Sequence, residues 1–144
     1  MEPTLVGGSS NAGIVFRMKT DGSGFQLLHS FADEENDGSA PNAALVLDRF
    51  GNLYGTTYSG GASQAGTVFT LRTDGTAFRI LHAFGSEVSD GKNPAASLFL
   101  DGSGTLIGTT QSGGVGTFGT VFALSVGPHH AVVTPGPFVP VRKR

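Results

Sequence analysis

GNLYGTTYSGGASQAGTVFTL, residues 51–71, returns 53 residues later as GTLIGTTQSGGVGTFGTVFAL, residues 104–124. The same shift aligns Gly13, Gly66 and Gly119, then Phe16, Phe69 and Phe122, without an insertion. It also pairs Asp21 with Asp74, Phe25 with Phe78, His29 with His82, Asp37-Gly38 with Asp90-Gly91, Pro41 with Pro94, Asp48 with Asp101, and Gly55 with Gly108. Periods of about 40 to 50 residues point to propeller blades or stacked arrays.

Each period holds four apolar segments of strand length, separated by turn residues. The first, Pro41 to Asp48 with its copy Pro94 to Asp101, carries Ala43, Leu45 and Leu47 on one face and Ala44 and Val46 on the other, as a strand packed on both sides requires. The second runs from Asn52 to Ser59 and from Thr105 to Ser112. The third occurs at 13–19, 66–72 and 119–125. The fourth, Phe25 to Phe31 and Phe78 to Phe84, follows the hairpin signals Asp21-Gly22 and Asp74-Gly75. Strict alternation places Phe25, Leu27, His29 and Phe31 together on its inward face.

These segments predict an all-β chain, a β-propeller-like repeat of four-stranded antiparallel blades with about two and a quarter periods. Nine strands do not close a ring, since four blades of 53 residues would need 212. The expectation is a fragment of a longer propeller; the alternatives are assembly with further copies through open blade edges, or an open stack with exposed edges. Residues 1–6 read as an N-terminal remnant, 7–126 as the repeat, and 127–144 as a Pro/Gly-rich tail ending in Arg142-Lys143-Arg144.

Composition agrees with turn-dense β-structure: 23 glycines against 14% charged residues in 144 positions. A net charge of -2 offers no basic footprint for nucleic acid, and no apolar run approaches the roughly 18 residues of a membrane span. Without cysteine there is neither a disulfide framework nor a thiolate metal site. Residues 1–4 lack the basic and apolar regions of a signal peptide, so the chain taken as complete would be cytoplasmic.

The recurring motifs are Gly-Thr-Val-Phe, Leu-His-x-Phe, Asp-Gly-x-x-Pro, Gly-Thr-Thr and Gly-Gly, with Leu-Tyr-Gly-Thr-Thr in the middle copy. Together they resemble the bacterial GloVer tandem repeat over about residues 7–126. Proteins carrying it are described as choice-of-anchor tandem repeat proteins. The resemblance implies an exported, surface-attached protein and brings no catalytic residues and no cofactor.

If the strands run up and down, the fourth-to-first and second-to-third loops open on one face, where binding usually resides. The candidate ligand-binding residues there are Asp33, Glu35, Asn36, Asp37, Gln64, Asp90 and Asn93. Asp33 to Asp37 invites a calcium reading, but Ala44 stands where such a loop needs a bidentate glutamate, so no metal is expected. Phe16, Phe69, Phe122, His29, His82, Gly55 and Gly108 repeat as structural positions, the histidines as core or between-blade groups holding a hydrogen bond. Tyr54 and Tyr58 could stack on a sugar. Thr56-Thr57 and Thr109-Thr110 precede glycine pairs with no helix to make a phosphate cradle. His129 and His130 have no repeat partner. The expected function is a non-catalytic scaffold or interaction module for a glycan or protein. The alternatives are a carbohydrate-binding or glycan-hydrolysing propeller and a self-assembling structural repeat.

Overall fold

The computed structural model describes residues 2–32 and 34–127, and among these residues there are antiparallel sheets, no helix and no closed barrel. The first sheet is β1 (Glu2–Thr4), β2 (Ile14–Arg17) and β3 (Gln26–Ser30) in that order. A short pair, β4 (Gly38–Ser39) with β7 (Ser59–Gly60), flanks the second sheet. That sheet is a four-stranded meander of β5 (Val46–Leu47), β6 (Asn52–Thr57), β8 (Thr67–Arg72) and β9 (Arg79–Ala83). In the third, β12 (Thr105–Gly113) is central, with β13 (Val121–Ser125), β11 (Phe99–Leu100) and β10 (Gly91–Pro94) paired to it.

β1 meets β2 with Glu2 opposite Phe16 and Thr4 opposite Ile14, the register in which Gly55 and Thr57 of β6 meet Phe69 and Thr67 of β8. Residues 2–4 therefore belong to the first sheet as the end of a second strand, although composition alone sets 1–6 apart. The strand count rises accordingly.

The first strand differs from its sequence reading. Of Pro41 to Asp48 only Val46–Leu47 is paired, and Gly38–Ser39, which precedes the expected strand, instead pairs with Ser59–Gly60 at the far end of the second strand. Between Ser39↔Ser59 and Val46↔Tyr54 one side has six residues and the other four, so the ladder is interrupted. Pro41, which has no N–H to give, falls in this gap, while Pro94 in the next unit is the last residue of β10, opposite Thr110, before the ladder breaks off. Ala40 and Asn93 before them adopt left-handed φ values of 56° and 58°. That turn aims the Ala40 N–H at Ala12 O (2.8 Å) and the Asn93 N–H at Ala65 O (2.7 Å), each in the preceding unit. Pro41 and Pro94 are buried there, against Gly13 and Gly66.

The fourth strand departs from strict alternation for a different reason. A register shift between Val15 and Phe16 leaves Leu28 as an extra residue, and Leu81 is the corresponding extra in β9. A bulge of this kind changes which face the following side chains occupy. Phe25 and Leu27 are exposed on one side of the first sheet, while Leu28 and Phe31 are buried on the other, next to His29.

The bulge prepares both faces of the sheet for packing. Call the side of the second sheet bearing Leu53, Phe69 and Leu71 its front, and the side bearing Tyr54 and Val68 its back. The front packs against Ala12, Val15, Leu28 and Phe31 of the first sheet, with Leu45, Phe78 and Ile80 alongside. The back, with Ala65 and Phe84, packs against Leu98, Leu106, Phe122, Leu124 and Val126, which are the front of the third sheet. Every residue of β6 is buried as a result. Both joints are the same contact: Phe31 meets Phe69 edge-on at 5.2 Å and 68°, and Phe84 meets Phe122 at 5.0 Å and 64°. Gly55 and Gly108 leave space for these rings, since a Cβ at Gly55 would lie 2.6 Å from Phe69 Cζ.

Gly66 lies in the joint between the second and third units. Its φ is +96°, and a Cβ would lie 2.5 Å from Thr57 O and 2.6 Å from Pro94 Cδ. Gly66→Ala is expected to destabilise the chain by at least about 2 kcal/mol in denaturant unfolding. Gly22→Ala, at φ +83° with nothing within 4 Å, should cost only about 1 kcal/mol.

Candidate functional site

Asp37 and Asp90 stand where the turn after the fourth strand enters β4 and β10. Asp37 accepts hydrogen bonds from His29 Nε2 (3.1 Å), the Ala32 N–H (3.0 Å) and the Gly38 N–H (2.8 Å). Asp90 accepts the same set from His82 Nε2 (3.3 Å), the Gly85 N–H (2.8 Å) and the Gly91 N–H (2.9 Å). An ionised carboxylate only accepts, so in each pair Nε2 carries the proton. Burial works to raise the Asp90 pKa, but the bonds from His82, Gly85 and Gly91 outweigh it and hold the carboxyl below its ordinary value. This is one latch built twice, fastening the end of a fourth strand to the start of the next first strand.

The histidines also face the joints. The His29 ring stacks on Phe78 of the second sheet at 3.7 Å and 7°, with Phe31 edge-on at 4.7 Å. His82 meets Phe84 edge-on at 4.6 Å.

The other loop candidates separate into two groups. Glu35, Asn36 and Gln64 are exposed. Asn93 is engaged: its Nδ2 donates to Tyr58 O (3.0 Å), and its Oδ1 accepts from Ser112 Oγ (3.2 Å). Asp33, His129 and His130 lie outside the described residues. The turn and the glycine loop of each unit do come together, through Gly61 N–H to Asp37 O (2.8 Å) and Gly114 N–H to Asp90 O (2.7 Å). The side chains of Asp37 and Asp90 nevertheless point into the latches rather than out to a ligand. Among the described residues no three His, Asp or Glu side chains converge in a metal-ligating group.

Thr56, Thr57 and Thr110 are buried, whereas Thr109 is exposed. Thr57 Oγ1 donates to Ser59 O (2.9 Å) and accepts from Thr67 Oγ1 (2.7 Å), and Thr110 and Thr120 repeat the pair at 2.9 Å. Thr56 Oγ1 is buried without a hydrogen-bond partner among the described residues.

One polar network escaped the repeat pattern because it occurs in a single unit. Asp48 accepts from the Phe50 and Asn52 N–H groups, from Asn52 Nδ2 (each 2.8 Å) and from the Tyr54 hydroxyl (3.1 Å). Burial would raise the Asp48 pKa, and these bonds lower it on balance. Burial, reinforced by the negative charge of Asp48, pushes the Tyr54 hydroxyl up to about 12. Asp101 keeps the turn in the next unit, but Ile107 replaces Tyr54. Tyr54 is buried and so cannot stack on a sugar; Tyr58 donates to Gln111 Oε1 (3.2 Å) in the following unit. Beside Tyr54 a cleft of about 240 Å³ lies on the back of the second sheet, bordered by Asn52, Thr70, Arg72, Phe78 and Arg79.

These features define a class: an all-β tandem repeat protein whose units are joined by equivalent faces and latches. The chain belongs to the Gloeobacter/Verrucomicrobia repeat family, whose model matches residues 3–134. No curated protein matches the chain.

The latch and the tyrosine give opposite pH dependences. The folded Asp90 carboxyl is more acidic than the unfolded value of about 3.9, so its contribution is complete above about pH 5 and is lost as pH falls through the lower folded pKa. Asp90→Asn should lower unfolding free energy by about 1–3 kcal/mol at neutral pH and flatten the acid limb of stability against pH. Tyr54 has a raised pKa, so its contribution is complete below pH 10 and declines between 10 and about 12. Tyr54→Phe should remove that alkaline decline, measured by denaturant unfolding across the same range.

Proposed function

We propose that this chain is a non-catalytic repeat scaffold of the β-propeller type, exported or displayed at the cell surface, whose strand-joining loops form an interaction surface. The observation that carries this reading is the fate of the repeated polar residues. Asp37 and Asp90, one of two acidic pairs common to both loop copies, hold backbone N–H groups and histidines instead of facing outward, whereas the other pair, Glu34 and Glu87, is exposed. Asp21, Asp74 and Asp101 cap turns by accepting from residues two to four positions on. The repeated aspartates are structural, and the exposed loop residues available to a partner are the repeated Glu34 and Glu87 together with residues that vary between units, such as Glu35, Asn36 and Gln64.

The propeller form of the proposal is supported by the antiparallel meander and by a front-on-back joint used twice. Loops carrying carboxylates, amides and backbone groups suit a hydroxyl-rich glycan or a protein surface.

Glycan-array binding and turnover of a panel of chromogenic glycosides test the reading together. Binding without turnover is the expected result. Asn36→Ala and Gln64→Ala should weaken any binding while leaving the melting temperature unchanged. Turnover abolished by Glu35→Gln in a chain of unchanged stability would overturn the non-catalytic assignment.

A further inference from the structure

The two ends of the stack expose opposite halves of the joint that is buried twice inside it. At the front of the first sheet, Phe16 and Met18 occupy the positions of Phe69 and Leu71, with Phe25 and Leu27 at those of Phe78 and Ile80. Phe69 and Leu71 are buried against the preceding unit, whereas Met18 is 51% and Phe25 60% exposed. Phe25 and Phe16 stack on each other at 5.4 Å and meet no ring of another unit among the described residues.

At the back of the third sheet, Phe99, Ile107, Val121 and Ala123 take the positions of Val46, Tyr54, Val68 and Thr70. Three of these four positions form or border the buried cluster between the second and third sheets. Phe99 is nevertheless 63% exposed. Phe118 stands at the position of Ala12 and Ala65, both buried at joints, and is 90% exposed. Apolar surface concentrated in this way on two faces marks an association surface.

We infer that the front of the first sheet and the back of the third bind each other between copies of this chain, head to tail, as a third instance of the internal joint. Continuity with the internal joints favours a second copy over another partner. Each internal joint sets a front on a back, with Phe69 or Phe122 meeting the phenylalanine of the preceding fourth strand, and the terminal faces carry the next members of the same series. A front face does not complement another front face, so the contact is heterologous. Such contacts propagate until a rotation closes them into a ring, or continue as a filament. The inference rests on the packing of the units and holds whether or not the loops bind a glycan.

Sedimentation analysis of the full chain across a concentration series tests it with two double variants. Met18→Glu with Leu27→Glu blocks the front, and Phe99→Glu with Ile107→Glu blocks the back. Met18, Leu27, Phe99 and Ile107 are surface residues, and circular dichroism checks that each variant folds. The unmodified chain is expected to associate, and each variant alone to associate at least about a hundredfold more weakly, because a carboxylate would be buried in the joint. An equimolar mixture should form a dimer and nothing larger, since one intact front meets one intact back. A monomeric unmodified chain at all concentrations would overturn the inference. So would a variant that associates as strongly as the unmodified chain, which would place the contact on strand edges or on residues 128–144, or a mixture that stays monomeric.

Discussion

A sheet with two apolar faces needs a neighbour on each side, and the rest of this structure follows from that requirement. β6 and β8 are buried on both sides: Leu53, Phe69 and Leu71 occupy the front, Tyr54 and Val68 the back, and the polar Asn52, Thr56, Thr57, Thr67 and Thr70 are buried among them. Burying a phenylalanine stabilises by roughly 2 kcal/mol, and Phe31, Phe69, Phe84 and Phe122 are each nearly or wholly inaccessible. None would be so within a single unit. The 53-residue period is thus an incomplete folding unit whose core lies between copies.

Polar groups adapt to this arrangement. Where the chain leaves one unit for the next it must expose backbone N–H groups close to a packed face. The carboxylates of Asp37 and Asp90 take two such groups each, and a histidine ring shields the bond from solvent while lending its own flat surface to the joint. Imidazole suits the position because it combines a donor with an aromatic face, which neither a phenylalanine nor a lysine does.

Much of this was legible in the sequence. The repeat and its turn signals indicated an all-β antiparallel chain and the order of its second, third and fourth strands, but not the added strand at residues 2–4 or the break in the first strand. The histidines belonged to the structure because they recurred. Three further things were hidden. Alternation cannot reveal a bulge, so Leu27 and His29 were assigned one face when Leu28 separates them. Composition cannot show that Asp37 points inward, since a loop aspartate facing a ligand and one facing its own backbone read alike. The Asp48–Tyr54 network lay outside the repeat signal because Ile107 replaces its tyrosine, and only the fold brings that hydroxyl to the carboxylate.

The left-handed residues before the two prolines have a wider consequence. Through Ala40 and Asn93, each unit donates its backbone bond backwards, from the start of one copy to the glycine loop of the copy before. The array therefore has a polarity, and its joints are indifferent to which copy supplies which side. Loss or gain of an in-frame 53-residue segment by recombination would rebuild an equivalent joint wherever the crossover fell. Such a lineage can change length in a single genetic event without inventing a new interface, leaving the variable loops free to diversify on a frame that copies itself.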